Sequence, residues 1–182
     1  MFGMKVKVKA SEVAWNLVDI KKDVIESVNK SQEGSQGWQV SYPDYRKALD
    51  IHVFLLTWYA IWTSKWSERE RKALSSELMH YWSVDMFPKG GDGFEKKVIA
   101  YTKVLQSAIL EYNKRQDAAN KDKKKEDNPL IVLTAMVGYF SPANKDNDLL
   151  GFTNFLFMMI PGMYEPLKDF VHGVQKKSKL LI

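Results

Sequence analysis

Few residues of this chain have the type and spacing that catalysis or metal binding requires. Glu77 and His80 stand three positions apart in a segment with a helical pattern, which places a carboxylate and an imidazole on one helix face. Helical di-iron proteins use this pair twice and add glutamates from two further helices. Here the pattern occurs once, and Asp169 before His172 is a shorter acid at the same spacing. We therefore predict no metal site and interpret Glu77 and His80 as a surface ion pair or hydrogen bond.

Other polar features also favour structural over catalytic interpretations. His52 lies in an otherwise apolar segment, which is typical of a hydrogen-bonded core histidine. The glycine-rich loop 90–93 precedes a helical segment and could present amides to an anion. It lacks the spacing of a phosphate-binding loop, so we interpret it as a flexible connector. The sequence contains no nucleophile elbow, metalloprotease pattern or dinucleotide fingerprint. We predict no catalytic residue and no cofactor, and favour a protein that is not an enzyme.

Aromatic residues are the best candidates for a binding site. Trp58, Trp62 and Trp66 recur at four-residue steps, on one face of a helix if that helix continues so far. Tyr81 and Trp82 follow on the next helical segment. Two interpretations stay open: a core of bulky side chains, or an aromatic-lined pocket or groove for a small apolar ligand or a partner helix. We expect Trp66 to be the least buried of the three tryptophans and the best interface anchor.

The charge pattern gives little support for a nucleic-acid partner. The formal net charge is +5, but the densest basic stretch, 114–127, mixes lysines with acids. Mixed signs are typical of a solvated helix end and loop. The basic tail 176–179 is the remaining candidate, and we do not expect nucleic acid to be the partner.

The longest apolar stretches are too short to cross a membrane. They cover 51–62, 129–140 and 149–163, whereas a transmembrane helix needs about 20 apolar residues. The first residues alternate apolar and basic types, unlike a secretory signal. The absence of cysteine fits a reducing compartment. We therefore expect a cytoplasmic protein that is not integral to a membrane.

Helical periodicity dominates the chain. The first helix opens at Ser11 and ends in a loop at 29–39. The second, about 43–64, begins near Pro43 and is apolar almost all the way round, so neighbouring elements must enclose it. Ser67 and Glu70 form a capping-box pattern that starts a third helix, and 87–93 is a break. The fourth helix has the clearest stripe, which comprises Phe94, Val98, Tyr101, Leu105, Ala108 and Tyr112.

The carboxyl-terminal part predicts further helices with breaks between them. A helix over 129–140, a loop at 141–148 and a helix over 149–160 are followed by a break at Pro161-Gly162 and a last helix from Pro166. The segment 4–9 is compatible with an edge strand or a helical lead-in, and no alternating segment is convincing enough to predict a sheet. The predicted fold is all-α, a single compact bundle of six or seven helices around the central helix, over 1–182. A loop at 118–128 is the one candidate domain boundary.

These features favour a non-enzymatic, cytosolic protein-interaction or regulatory domain, with a homodimer as one option. The Phe- and Met-rich segment 149–163 suits a buried final layer, a dimer interface or a cavity wall. The alternative function is a bundle that binds a small apolar or aromatic ligand in a pocket lined by tryptophan.

Overall fold

The fold is built almost entirely of helices. A computed structural model describes residues 6–33, 43–121, 133 and 147–181. Their elements in chain order are β1 (Val6–Lys9), α1 (Ala10–Glu33), α2 (Pro43–Trp62), α3 (Glu68–Asp85), α4 (Phe94–Lys121), α5 (Asn147–Lys177) and β2 (Ser178–Leu181). The prediction of a mostly helical protein is confirmed. The predicted count of six or seven helices is not matched, since the described residues form five helices and one strand pair.

Helix α2 lies at the centre of the bundle. It packs against each of the other four helices. From 48 to 62 only Tyr59 and Trp62 keep partial exposure, and every other residue is buried. A helix this apolar has no face that water solvates well, so burial on all sides stabilises it most. The neighbouring helices supply the enclosure that its composition predicts.

Helices α3 and α4 form as local sequence rules require. Glu70 N–H donates to Ser67 Oγ at 3.3 Å, and Ser67 N–H donates to Glu70 Oε2 at 2.9 Å. The predicted capping box is therefore present at the start of α3. The predicted stripe of α4 is buried from Val98 to Tyr112 at helical spacing, and Phe94 is partly buried. Helices α1 and α4 run further than predicted, past the expected loop starts at 29 and 118, to Glu33 and Lys121.

Helix α5 contradicts the predicted break at Pro161-Gly162. It is a single helix that contains both Pro161 and Pro166. A proline inside a helix loses one hydrogen bond and crowds the carbonyl four residues earlier. Both prolines lie on the exposed face, where water can reach the freed carbonyls. The opposite face is buried against α1 and α2, and this burial outweighs the local cost; its residues are Leu156, Ile160, Met163, Leu167 and Val171.

The expectation of no sheet is also wrong, and the strand option for 4–9 is confirmed over Val6–Lys9. Strands β1 and β2 pair in parallel, with Val6 opposite Ser178 and Val8 opposite Leu180. Ser178 and Leu180 are buried, whereas Lys179 faces solvent, so β2 alternates as a half-buried strand should. Four-residue strands give a weak pattern in sequence, and this pair forms because α1 and α5 bring the two segments together.

The predicted helix over 129–140 and most of the loop over 141–148 lie outside the described residues. Of the positions in these two segments, only 133, 147 and 148 are described: Leu133 is helical and fully buried, and 147–148 belong to α5. No helix in the described part of the chain is long and apolar enough to span a bilayer.

A buried polar network joins α1, α2, α3 and α4. Lys21 is only 3% exposed, and its Nζ lies 3.3 Å from Asp50 Oδ1 and 2.8 Å from Asp85 Oδ2. The other carboxylate oxygen, Asp50 Oδ2, accepts hydrogen bonds of 2.7 Å from Trp82 Nε1 and from Tyr101 Oη. The Lys21 ammonium also lies 4.6 Å from the centroid of the Trp82 ring. Each charged group of the network therefore has a partner, as burial of charge requires.

Candidate functional site

The five aromatic residues predicted as a binding site occupy different surroundings. Trp58 is buried, with ring centroids 5.6 Å from those of Trp62 and Tyr112. Trp82 is fully buried against Phe54, and its N–H is held by Asp50. Tyr81 lies partly exposed, edge-on to Trp15 at 5.5 Å. Trp58, Trp62 and Trp82 thus take part in packing, whereas Trp66 lies in the turn between α2 and α3.

The expectation that Trp66 is the least buried tryptophan of its series is wrong. It is 6% exposed, while Trp62 keeps more exposure. The reason is that α2 ends at Trp62, so Trp66 leaves the helical stripe and the turn folds its side chain inward. Its indole N–H is buried and has no hydrogen-bond partner among the described residues. Buried donors are normally satisfied by protein or water.

Trp66 borders a pocket of about 550 Å³ between the α2–α3 turn and the end of α5. Its volume falls within the range of small-molecule sites, roughly 300–1,000 Å³. We call this space the turn pocket. Two segments of the chain line it: the α2–α3 turn and the start of α3, with Thr63, Lys65, Trp66 and Glu70, and the end of α5 with β2, with His172, Gln175, Lys176, Ser178 and Lys179.

Hydrogen bonds to the end of α2 fix the first wall of the turn pocket. The hydroxyl of Thr63 donates to the carbonyl of Tyr59 at 3.0 Å, and that of Ser64 to Ile61 at 2.6 Å. The Arg71 side chain donates to the Trp62 carbonyl at 2.9 Å. The carbonyls of Tyr59 and Ile61 also accept from the backbone N–H groups of Thr63 and Ser64, at 2.9 and 3.2 Å, so the side chains add to the backbone bonds at this helix end. The turn that carries Trp66 is therefore held in place.

Glu70 ties this wall to β2. Its partial burial disfavours the carboxylate, but hydrogen bonds from the Ser67 side chain and backbone outweigh that effect. A further hydrogen bond from the Leu180 backbone and the charge of Lys179 act in the same direction, so the pKa of Glu70 is lowered. The carboxylate is ionised at neutral pH, and its oxygens are already engaged by groups of the protein.

The charge balance of the turn pocket is positive. Three lysines line it, against one glutamate. Lys65, Lys176 and Lys179 are exposed at the rim, and His172 is half-buried. The arrangement therefore offers ammonium donors around a partly apolar space that Trp66 borders. Such a space can hold a small molecule with a polar end.

Of the pocket residues, sequence reasoning identified only Trp66 as a binding candidate. The two sides of the pocket lie about one hundred positions apart in the chain, and no local pattern relates them. Two partial signals were present: the capping box, which fixes where the turn ends, and the basic tail at 176–179. The missing information was that α5 continues through Pro161 and brings this tail to the α2–α3 turn.

The other polar candidates differ in their surroundings. His52 is buried, and burial lowers its pKa to about 4, although the nearby Leu133 backbone opposes the shift. Among the described residues, no hydrogen bond of good geometry reaches either ring nitrogen, so the expectation of a hydrogen-bonded core histidine is confirmed for its burial only. His80 is exposed and stacks edge-on to Tyr81. Within the described ranges, no three His, Asp or Glu side chains cluster as metal ligands would.

In comparisons with known proteins, no protein-family model, curated protein or solved structure matches the chain.

Proposed function

We propose that this protein is a helical binding protein that holds a small molecule in the turn pocket. The observation that carries the proposal is the space of about 550 Å³ that Trp66 borders, with the α2–α3 turn on one side and the end of α5 on the other. Pockets of roughly 300–1,000 Å³ are of the size that holds small molecules, and an aromatic side chain in the lining supplies apolar contact.

The chemistry of the lining supports binding more than catalysis. The lysines at the rim are mobile point charges that suit recognition of a ligand. Glu70, the one carboxylate of the lining, is engaged in capping α3 and in holding β2. We therefore propose a non-enzymatic role in which the pocket senses or carries its ligand.

Fluorine NMR of protein labelled with 5-fluorotryptophan tests this proposal directly. The six tryptophans give separate resonances, and a Trp66→Phe variant assigns the signal of Trp66. We expect small aromatic molecules, added as a panel, to shift the Trp66 resonance and the backbone amides of 63–66 and 172–179. The backbone measurement uses unsubstituted protein, so it stands even if Trp66→Phe is destabilised.

Trp15→Phe is the matched control. Trp15 is 39% exposed and does not line the turn pocket. We expect this variant to bind as the parent does, and Trp66→Phe to bind more weakly. A panel that leaves both the Trp66 signal and the two backbone segments unchanged would refute the proposal.

A second function, protein interaction with homodimerisation as one form, is favoured by exposed apolar side chains. Met158 is 71% exposed, and Phe157 beside it and Trp15 on α1 also reach solvent. Phe157 and Met158 are adjacent in the chain, and contiguous exposed apolar residues are typical of interaction surfaces. We keep the cytosolic location as part of this proposal. Size-exclusion chromatography with light scattering tests the dimer, and a strict monomer at high concentration would remove it.

A further inference from the structure

We infer that the turn pocket selects a small organic anion that carries a flat apolar group. The lysines at the rim bind its acidic group, a carboxylate or a phosphate, and the wall at Trp66 receives its apolar part. This inference rests on the proposed function and adds the chemical class of the ligand.

Among the ion pairs formed within the described residues, none involves the three lysines of the turn pocket, Lys65, Lys176 and Lys179. Some exposed lysines elsewhere pair with nearby acids, as Lys72 does with Glu68 at 2.6 Å. The distinguishing feature of the turn pocket is that three lysines line one space together with a single glutamate.

Glu70 offsets only part of this charge, since it is one carboxylate against three lysines. Its carboxylate accepts hydrogen bonds from Ser67 N–H at 2.9 Å and from Ser67 Oγ at 2.7 Å. The Leu180 backbone contributes a third. These donors hold the carboxylate in place, and its single negative charge acts on Lys179 beside it. The excess of positive charge therefore remains available to a ligand.

Trp66 determines the other half of the ligand. Trp66 is 6% exposed and contributes an apolar wall to the turn pocket. Indole surfaces favour flat apolar groups. A ligand that combines a ring with an acid uses both this wall and the lysines, whereas a bare inorganic anion leaves the wall unused.

The test compares four probes of graded chemistry by calorimetry and by the Trp66 fluorine signal. They are 2-naphthoate, its neutral amide, the cationic 2-naphthylmethylammonium, and inorganic phosphate. We expect 2-naphthoate to bind at least tenfold more tightly than the amide, and the cation not to bind. Affinity for 2-naphthoate should fall several-fold between 50 and 300 mM salt, since mobile ions screen exposed charges. Phosphate should bind more weakly than 2-naphthoate.

Lysine variants locate the acidic group. Lys176→Gln and Lys65→Gln should each lower the affinity for 2-naphthoate about two- to fivefold, the range of an exposed charge pair. Neither change should alter the affinity for the neutral amide. Lys177→Gln is the matched control, because Lys177 is exposed next to Lys176 but does not line the pocket. It should bind as the parent does.

The outcomes separate this inference from the proposed function. If no probe shifts Trp66 or the pocket amides, both fail together. If the amide binds as tightly as 2-naphthoate, or if Lys177→Gln weakens the anion as much as Lys176→Gln, the pocket binds ligands but the anion assignment is wrong. If phosphate binds as tightly as 2-naphthoate, the role given to the Trp66 wall is wrong.

Discussion

Asp50 accepts from three donors in the interior of the bundle. Trp82 N–H and Tyr101 O–H bond one oxygen, and the Lys21 ammonium lies beside the other. Burial raises the pKa of Tyr101, and the adjacent Asp50 carboxylate adds to the shift, so the phenol stays a donor. Removal of a carboxylate from water costs several kcal/mol, which only a full set of hydrogen bonds and an opposite charge can offset. One side chain of α2 thus holds groups from α1, α3 and α4.

Replacement of Asp50 by Ala should lower the free energy of unfolding by about 3–5 kcal/mol, because Lys21 loses one of its two anions and two buried donors lose their acceptor. Urea denaturation followed by circular dichroism measures this loss. Lys22→Gln is the control, since Lys22 also reaches Asp85, at 3.1 Å, but is half exposed. It should cost less than about 1 kcal/mol.

A double variant, Lys21→Met with Asp50→Leu, removes both charges together. We expect it to be more stable than Asp50→Ala, because apolar side chains of similar volume often replace a buried ion pair without loss. If the double variant lost as much stability as the single variants Lys21→Met and Asp50→Leu lose in sum, Lys21 and Asp50 would contribute independently.

The stripe of α1 already contained a signal of this network. Leu17, Lys21, Val24 and Val28 follow one another at the spacing of a buried helix face, and only Lys21 is charged. A lysine at such a position predicts a buried partner. Its identity was beyond the sequence, since Asp50 and Asp85 lie on two other helices whose rotation depends on packing.

His52 should make stability depend on pH between about 6.5 and 4. Burial lowers its pKa from 6.5 to about 4 in the folded protein, so the unfolded chain takes up the proton first as the pH falls. Stability is therefore greatest above pH 6.5 and decreases toward pH 4, by on the order of 3 kcal/mol. Urea denaturation at half-unit steps of pH measures the slope.

His52→Leu is the variant that isolates this effect, because it keeps an apolar side chain in the site and removes the titration. We expect its stability to be nearly constant from pH 6.5 to about 5. At lower pH, Glu70 and then Asp85 also contribute, since their usual pKa values are 4.5 and 3.8 and both are lowered in the folded protein. In each, burial favours the protonated acid, but hydrogen bonds and charge attraction outweigh burial. An equal slope in the variant would assign the pH dependence to other groups.

At the level of elements, sequence rules worked where local signals and burial agree. The capping box of α3 and the stripe of α4 are of this kind, since a cap and a periodic apolar face both act within a few turns. Helix α5 is the counterexample. Its prolines and glycines predict a break, but the contacts that hold it come from α1 and α2, and a local pattern does not contain them. The turn pocket was missed for the same reason.

Two glycines, one in α5 and one in the α3–α4 loop, test how backbone conformation determines the effect of a change to alanine on stability. Gly162 lies inside α5, and a methyl group there would meet no atom within 4 Å. Gly162→Ala should therefore stabilise the protein by about 0.5–1 kcal/mol through helix propensity. Gly93 also has open space, but its φ is +68°. Gly93→Ala should destabilise by about 1 kcal/mol, because alanine disfavours left-handed backbone.

Thermal and urea denaturation of both variants measure the difference. The pair is matched, since the same change is made at two uncrowded sites that differ in backbone conformation. Stabilisation by both would mean that the loop at Gly93 relaxes freely, and destabilisation by both would mean that α5 needs the flexibility of Gly162.

For the molecule as a whole, α2 is the element through which the other helices are coupled. It contacts all four of them, and the strand pair adds a direct link between β1, before α1, and β2, after α5. A boundary at 118–128 would divide the chain between α4 and α5. Helix α5 packs on α1 and α2, however, so this division would expose the buried faces of both parts.

The described fold should therefore unfold as one cooperative unit. Fluorine signals of Trp15 on α1, Trp82 on α3 and Trp66 beside the end of α5 report separate regions, and circular dichroism reports total helix. We expect all four probes to give the same urea midpoint and slope, because loss of α5 strips α2 of one side of its cover. Leu167→Ala, a buried change on α5, should shift the midpoints together by an amount that corresponds to about 2–5 kcal/mol. If it shifted Trp66 alone, α5 would be a separate unit and 118–128 a true boundary.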